Sequence, residues 1–156
     1  MFFLGCHLID IIIKIKGLPE RITPYNRSSG LEGVTAEDFG MAVLEYKNGV
    51  SFAKTCDDEM GGYMRRQLVI CGEKGTIEIK PLEAAAEGGG QYTVAAESYS
   101  DSWTKSWQES RSEVHDRYDG MMRNFAEMIR GKENPYSYDY ELGLYRLILR
   151  ACGREV

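Results

Sequence analysis

Apolar residues in the first sixteen positions recur at helical spacing. Leu8, Ile11, Ile12 and Ile15 fall at i, i+3, i+4 and i+7, which predicts a helix over Leu4 to Lys16 with that stripe on the core. Gly17 and Pro19 end it, because glycine accepts the geometry past a helix end and proline cannot continue a helix. A short strand is predicted around Arg21 to Ser28 and a loop over Gly30 to Glu37. Asp38 to Lys47 then alternates, followed by Asn48-Gly49 and by Val50 to Thr55. Asn-Gly between two alternating runs predicts a hairpin with positive φ at both turn positions.

A second hairpin is predicted from Arg65 to Cys71, a Gly72-Glu73-Lys74-Gly75 turn, and Thr76 to Lys80. Leu68, Ile70, Ile77 and Ile79 form its apolar half. Pro81 to Gly90 reads as a glycine-rich loop, Gln91 to Glu97 as one more strand, and Ser98 to Ser112 as irregular. Met122, Phe125 and Ile129 give a helix stopped by Gly131. After Asn134-Pro135, Ser137 is placed to cap a last helix carrying Leu142, Tyr145 and Leu149. Asp139 and Glu141 suit its first turn, where the helix dipole favours negative charge.

Helix, hairpin-linked strands, then two helices: this order predicts an α+β fold, with a large, mostly antiparallel open sheet and helices packed on one face. The length of 156 residues fits a single domain over 1–156. No strand leads through a glycine-rich turn into a helix, so no Rossmann nucleotide site and no cofactor-binding residue are expected in this chain.

Composition narrows the partners. A net charge of -5 and a pI near 5.2 disfavour nucleic acid and anionic membranes. Phe2 to Ile15 is too short to span a bilayer, since a spanning helix needs about 20 apolar residues, and it is interrupted by His7 and Asp10. It also lacks a basic leader and a small-residue cleavage site, so a buried helix is expected rather than a signal peptide. Cys6, Cys56, Cys71 and Cys152 form no CxxC pair and fit no zinc spacing, which points to a reducing cytoplasm. With His7 and His115 as its two histidines, the chain is expected to hold no metal.

Several residues are candidates for chemistry. His7 has Asp10 one helical turn away, an arrangement suited to general acid/base work, although spacing alone favours a core-edge histidine bonded to backbone. Lys14 continues that stripe. In Gly62-Tyr63-Met64-Arg65-Arg66, two arginines after a Gly-Gly break suit a hydroxylated or carboxylated ligand, or a basic strand edge that resists pairing. Tyr136, Tyr138 and Tyr140, with Trp103 and Trp107, suit a sugar-binding surface or an interface. Asp57-Asp58-Glu59 and the surroundings of His115 read as solvated charge.

These residues carry a resemblance. Gly5-Cys6-His7-Leu8-Ile9-Asp10 is similar to the GxHxxD helix opening of the Gfo/Idh/MocA oxidoreductases. Ala42 to Val50 resembles their central hairpin, and Gln67 to Ile79 resembles their GTKGTIEI-like strand pair. Phe125 to Gly131, Pro135-Tyr136-Ser137 and the closing helix through Cys152 resemble the end of the family's C-terminal domain. The resemblance implies that domain, with the Rossmann domain absent from this chain.

It further implies substrate binding and homo-oligomerisation through the open sheet face, as half of an NAD- or NADP-dependent dehydrogenase acting on a sugar, inositol or related polyol. The nucleotide belongs to the other domain, so this chain alone is expected to bind none and to be inactive. His7 aligns with the family's acid/base histidine, and Asp10, Tyr63 and Arg65 are the substrate-binding candidates. Phe3 stands where the family often has an aspartate four residues before the histidine. The alternative expectation is a non-enzymatic self-assembly or ligand-binding module.

Overall fold

The first helix, α1 (Phe2–Lys16), buries Gly5, Ile9 and Ile13 in a computed structural model that describes residues 1–92, 96–100, 107–110 and 112–156. The buried line therefore differs from the predicted one. Leu8 and Ile12 flank it, half-buried, and Ile15 is 51% exposed. Three consecutive isoleucines, Ile11 to Ile13, fit several stripes, and a glycine does not register as apolar although Gly5 supplies part of the inner face. Gly17 closes the helix at φ 77°, with its N–H on the Ile13 carbonyl at 2.7 Å.

Three antiparallel strands follow in the order β1 (Arg21–Arg27), β2 (Phe39–Tyr46) and β3 (Gly49–Cys56). Between β1 and β2, Leu31–Gly33 winds one 3-10 turn within the predicted loop. The Asn48-Gly49 hairpin forms in the predicted place, but with a different turn. Gly49 takes φ 126°, whereas Glu32 is the non-glycine at positive φ among the described residues, so Asn48 stays at negative φ. The glycine alone takes up the left-handed geometry of the reversal.

Side chains alternate across a strand, so each face of this sheet has its own set. Ala42, Leu44 and Ala53 point inward and pack with Ile9 and Ile13. The last helix, α4 (Tyr138–Ala151), adds Leu147, Ile148 and Ala151 to the same core. Buried Asn26 donates from Nδ2 to the Ala151 carbonyl at 2.9 Å, satisfying one of the acceptors a helix end leaves open. On the opposite face Tyr25, Val50 and Phe52 are 47%, 64% and 67% exposed. Residues Met1–Glu59 and Asn134–Val156 together form this compact unit.

A second compact unit comprises Met60–Glu133. It contains a single helical turn, α2 (Gly62–Arg65), then β4 (Leu68–Gly72), β5 (Gly75–Ile79), β6 (Ala84–Ala85), β7 (Gln91–Tyr92), β8 (Ala96–Tyr99), β9 (Trp107–Ser110) and α3 (Asp119–Ile129). The ladders run antiparallel in the order β4-β5-β8-β9, with β6-β7 as a separate pair.

Gly61, at φ 68°, turns the chain into α2, so the strand predicted from Arg65 begins at Leu68. The loop predicted over Pro81 to Gly90 contains β6. The segment predicted as irregular after Ser98 contains the end of β8 and all of β9. The end of β8 pairs with β5, and β9 pairs with β8, so ladder hydrogen bonding overrides a weak side-chain signal in these two strands. The strand predicted over Gln91 to Glu97 extends beyond the described residues at 93–95. The α+β class and the antiparallel strands agree with the expectation.

Candidate functional site

Helix α1 carries His7, Asp10 and Lys14 along one stripe. The His7 side chain is exposed and makes no hydrogen bond among the described residues, so it is not a core-edge histidine tied to backbone. Phe3, one turn earlier, is 84% exposed.

Asp10 is engaged on both oxygens. The Tyr140 hydroxyl donates to Oδ1 at 2.5 Å. Lys14 Nζ lies 3.0 Å from Oδ2 and also donates to the Tyr136 hydroxyl oxygen at 3.2 Å. The Tyr136 and Tyr140 rings lie 5.7 Å apart at 31°, and Lys14 Nζ is 4.8 Å from the centre of the Tyr136 ring. The start of α4 fixes this placement. Ser137 Oγ accepts the Tyr140 N–H at 3.1 Å, and Asn134 Oδ1 accepts the Tyr136 N–H at 3.0 Å. One tyrosine thus stands just before the helix and the other in its first turn.

The electrostatics follow from these contacts. Burial, reinforced by the Asp10 carboxylate, pushes the Tyr140 phenol up to about 12. The Asp10 carboxylate, with help from the Tyr136 hydroxyl, holds the Lys14 ammonium above the usual lysine range. Lys14 therefore stays an ammonium and Tyr140 a neutral phenol at neutral pH.

Tyr63 and Arg65 lie in the second unit, on α2. Arg66, not Arg65, stacks on the Tyr63 ring, at 5.0 Å, and reaches Glu83 at 3.6 Å. Arg117 grips the same carboxylate with two nitrogens, Nε at 3.0 Å and a terminal nitrogen at 2.5 Å. Glu83 in turn holds the Arg117 guanidinium above its ordinary range. Arg65 is exposed at the end of α2.

Tyr138 is 94% exposed and takes no part in the Asp10 cluster. Trp103 lies outside the described residues. Sequence reasoning placed Lys14 on the His7 stripe but did not join it to Tyr136 and Tyr140. The i, i+4 spacing of Asp10 and Lys14 was the legible part of the cluster. Among the described residues no group of three or more His, Cys, Asp or Glu side chains is placed to hold a metal. Among the described residues no helix is long and apolar enough to cross a membrane.

Residues 1–78 match the model of the GFO/IDH/MocA C-terminal domain. The chain belongs to this family of oxidoreductase C-terminal domains. Solved structures share its fold. A protein assigned as an oxidoreductase from Klebsiella pneumoniae is 18% identical, with a TM-score of 0.68 over 98% of this chain and 46% of its own. Another so assigned, from Bacteroides fragilis, is 17% identical, with a TM-score of 0.66 over 97% of this chain and 49% of its own. A third, assigned as an NADPH-dependent oxidoreductase from Desulfitobacterium hafniense, is 14% identical, with a TM-score of 0.67 over 96% and 44%. The chain thus spans just under half the length of these structures. No curated protein matches it.

A nicotinamide dinucleotide would need a parallel strand feeding a glycine-rich turn and a full helix, whose N–H groups receive the pyrophosphate. Among the described residues every ladder is antiparallel. Among the described residues, the helix entered through the Gly61-Gly62 pair, α2, is a single turn of four residues. The described residues do not fit a dinucleotide.

Proposed function

We propose that this chain is the substrate-binding and oligomer-forming part of an NAD(P)-dependent oxidoreductase acting on a sugar, an inositol or a related polyol, with the nucleotide held outside these 156 residues. The family membership carried by residues 1–78 supports this reading most strongly. In it His7, exposed on α1, exchanges a proton with the substrate hydroxyl or carbonyl. Asp10 anchors the α1 stripe through Tyr140 and Lys14. Tyr63 and Arg65, on α2 of the second unit, are further candidates for substrate contact. The four cysteines are unpaired, which suits a reducing cytoplasm.

Turnover of a polyol panel by the whole polypeptide, with His7→Ala beside the unchanged protein, tests this reading. The variant is expected to lose about 10²–10⁴-fold in turnover while keeping its melting temperature. Unchanged turnover would remove His7 from the chemistry. The 156-residue chain alone is expected to show no saturable NADPH binding, and micromolar affinity would overturn the division of labour.

The outer face of the first sheet favours a compatible second role. Exposed Tyr25, Val50 and Phe52 share that face, and an exposed apolar patch of this kind commonly meets a partner. We read it as the contact between copies of this chain.

A further inference from the structure

We propose that Lys14 and Tyr136 form an anion-recognising subsite beside His7, so that the substrate is a polyol derivative bearing a carboxylate or a phosphate rather than a neutral polyol. The inference rests on the reading of His7 as the substrate-facing group. It follows from which hydrogen-bonding capacity the cluster has already spent. Asp10 accepts from Tyr140 on one oxygen and from Lys14 on the other, so each carboxylate oxygen already has a donor within the cluster. The single phenolic proton of Tyr140 goes to Asp10. The Tyr136 oxygen accepts from Lys14, and its own proton meets no acceptor among the described residues. An ammonium has three donors, and two of those on Lys14 are used.

What remains open is therefore two donors, one of them charged. Two donors select an acceptor, and an anionic oxygen is the strongest partner for a charged N–H. Asp10 and Tyr136 also hold the ammonium in place, which reduces the rotamer freedom a long lysine loses on binding. The side chain remains 43% exposed, so it is accessible to a ligand.

Position links this subsite to His7. Lys14 lies seven residues beyond His7, but its head folds back onto Asp10. Asp10 is three residues from His7, a rise of roughly 4.5 Å. An anionic group on Lys14 and a carbinol at His7 then fit the two ends of a sugar acid or sugar phosphate.

The test is a titration of the 156-residue chain, read by NMR at the Lys14 side chain, with gluconate, sorbitol 6-phosphate and sorbitol. Saturable binding of at least one anion, about ten-fold tighter than sorbitol, is expected, and the stronger of the two identifies the anion class. Lys14→Met should abolish the preference, and Lys14→Arg should retain it. Equal response to sorbitol and both anions, no saturable response to either anion, or an unchanged preference in Lys14→Met would overturn the subsite. Turnover of gluconate, sorbitol 6-phosphate and sorbitol by the whole polypeptide separates the two readings. Turnover without anion preference removes the subsite alone, and anion preference without turnover removes the oxidoreductase reading alone.

Discussion

The Tyr140 hydroxyl donates a hydrogen bond to Asp10 Oδ1 across 130 residues of sequence, joining the first turn of α4 to the middle of α1. The contact is partly buried, so removing the donor leaves a carboxylate oxygen without its partner in a poorly hydrated place. Tyr140→Phe is expected to destabilise the chain by about 1.5–3 kcal/mol, the usual worth of a hydrogen bond to a charged group. Urea unfolding of the two proteins measures this, and superimposable curves would deny the bond a structural role.

The same phenol predicts an alkaline limit. Its proton leaves near 10 in a free chain and near 12 in the folded protein. Between those values the folded state holds a proton that the unfolded state has lost, so stability falls as pH rises. Below about 10 the contribution is fully present. Melting temperature followed from pH 9 to pH 12 should decline more steeply for the unchanged protein than for Tyr140→Phe. Parallel declines would assign the effect to other groups.

The rotation of α1 is testable by paired truncations. Ile9 is fully buried and Ile15 is 51% exposed. Ile9→Ala is expected to cost about 2–5 kcal/mol, through lost burial and the cavity left behind. Ile15→Ala should stay within about 0.5 kcal/mol, as surface changes do. The reverse ranking in denaturant unfolding would restore the stripe that spacing alone suggests.

Gly75 is required by a close backbone approach. It sits at φ 155°, and a Cβ there would lie 2.5 Å from the Tyr99 carbonyl oxygen on β8. Gly75→Ala must therefore shift backbone within the β5–β8 ladder, at about 1–3 kcal/mol. Gly72→Ala is the control, since its nearest neighbour would be at an ordinary 3.5 Å. Amide exchange along β5 and β8 should accelerate in the first variant and hold in the second.

Phe52, 67% exposed on the outer sheet face, tests self-association. The unchanged chain is expected to scatter light as a dimer or larger assembly, and Phe52→Glu as a monomer. A monomeric unchanged chain would remove that role from the sheet face.

Much of this architecture is legible in the sequence because it depends on near neighbours. Gly17 ends α1, Ser137 caps α4, Gly131 follows α3, and both hairpins lie where alternation and turn residues place them. Strand β9 escapes the same reasoning, because Trp107 to Ser110 carries a weak side-chain signal and is recruited by pairing with β8. The candidate site divides in the same way. Spacing puts His7, Asp10 and Lys14 on one helix stripe, whereas no local pattern announces that Tyr136 and Tyr140 arrive beside them.

The sequence by itself determined the class of fold, the placing of its turns and caps, the family, and the lack of a glycine-rich dinucleotide loop. These follow from backbone preferences and periodicity over a few residues. Only the tertiary structure decided which face of α1 is buried, what Asp10 is bonded to, and which donors of Lys14 and Tyr136 remain open. Those facts depend on packing α4 against α1, where close contacts between residues more than a hundred positions apart assign each polar group its partner.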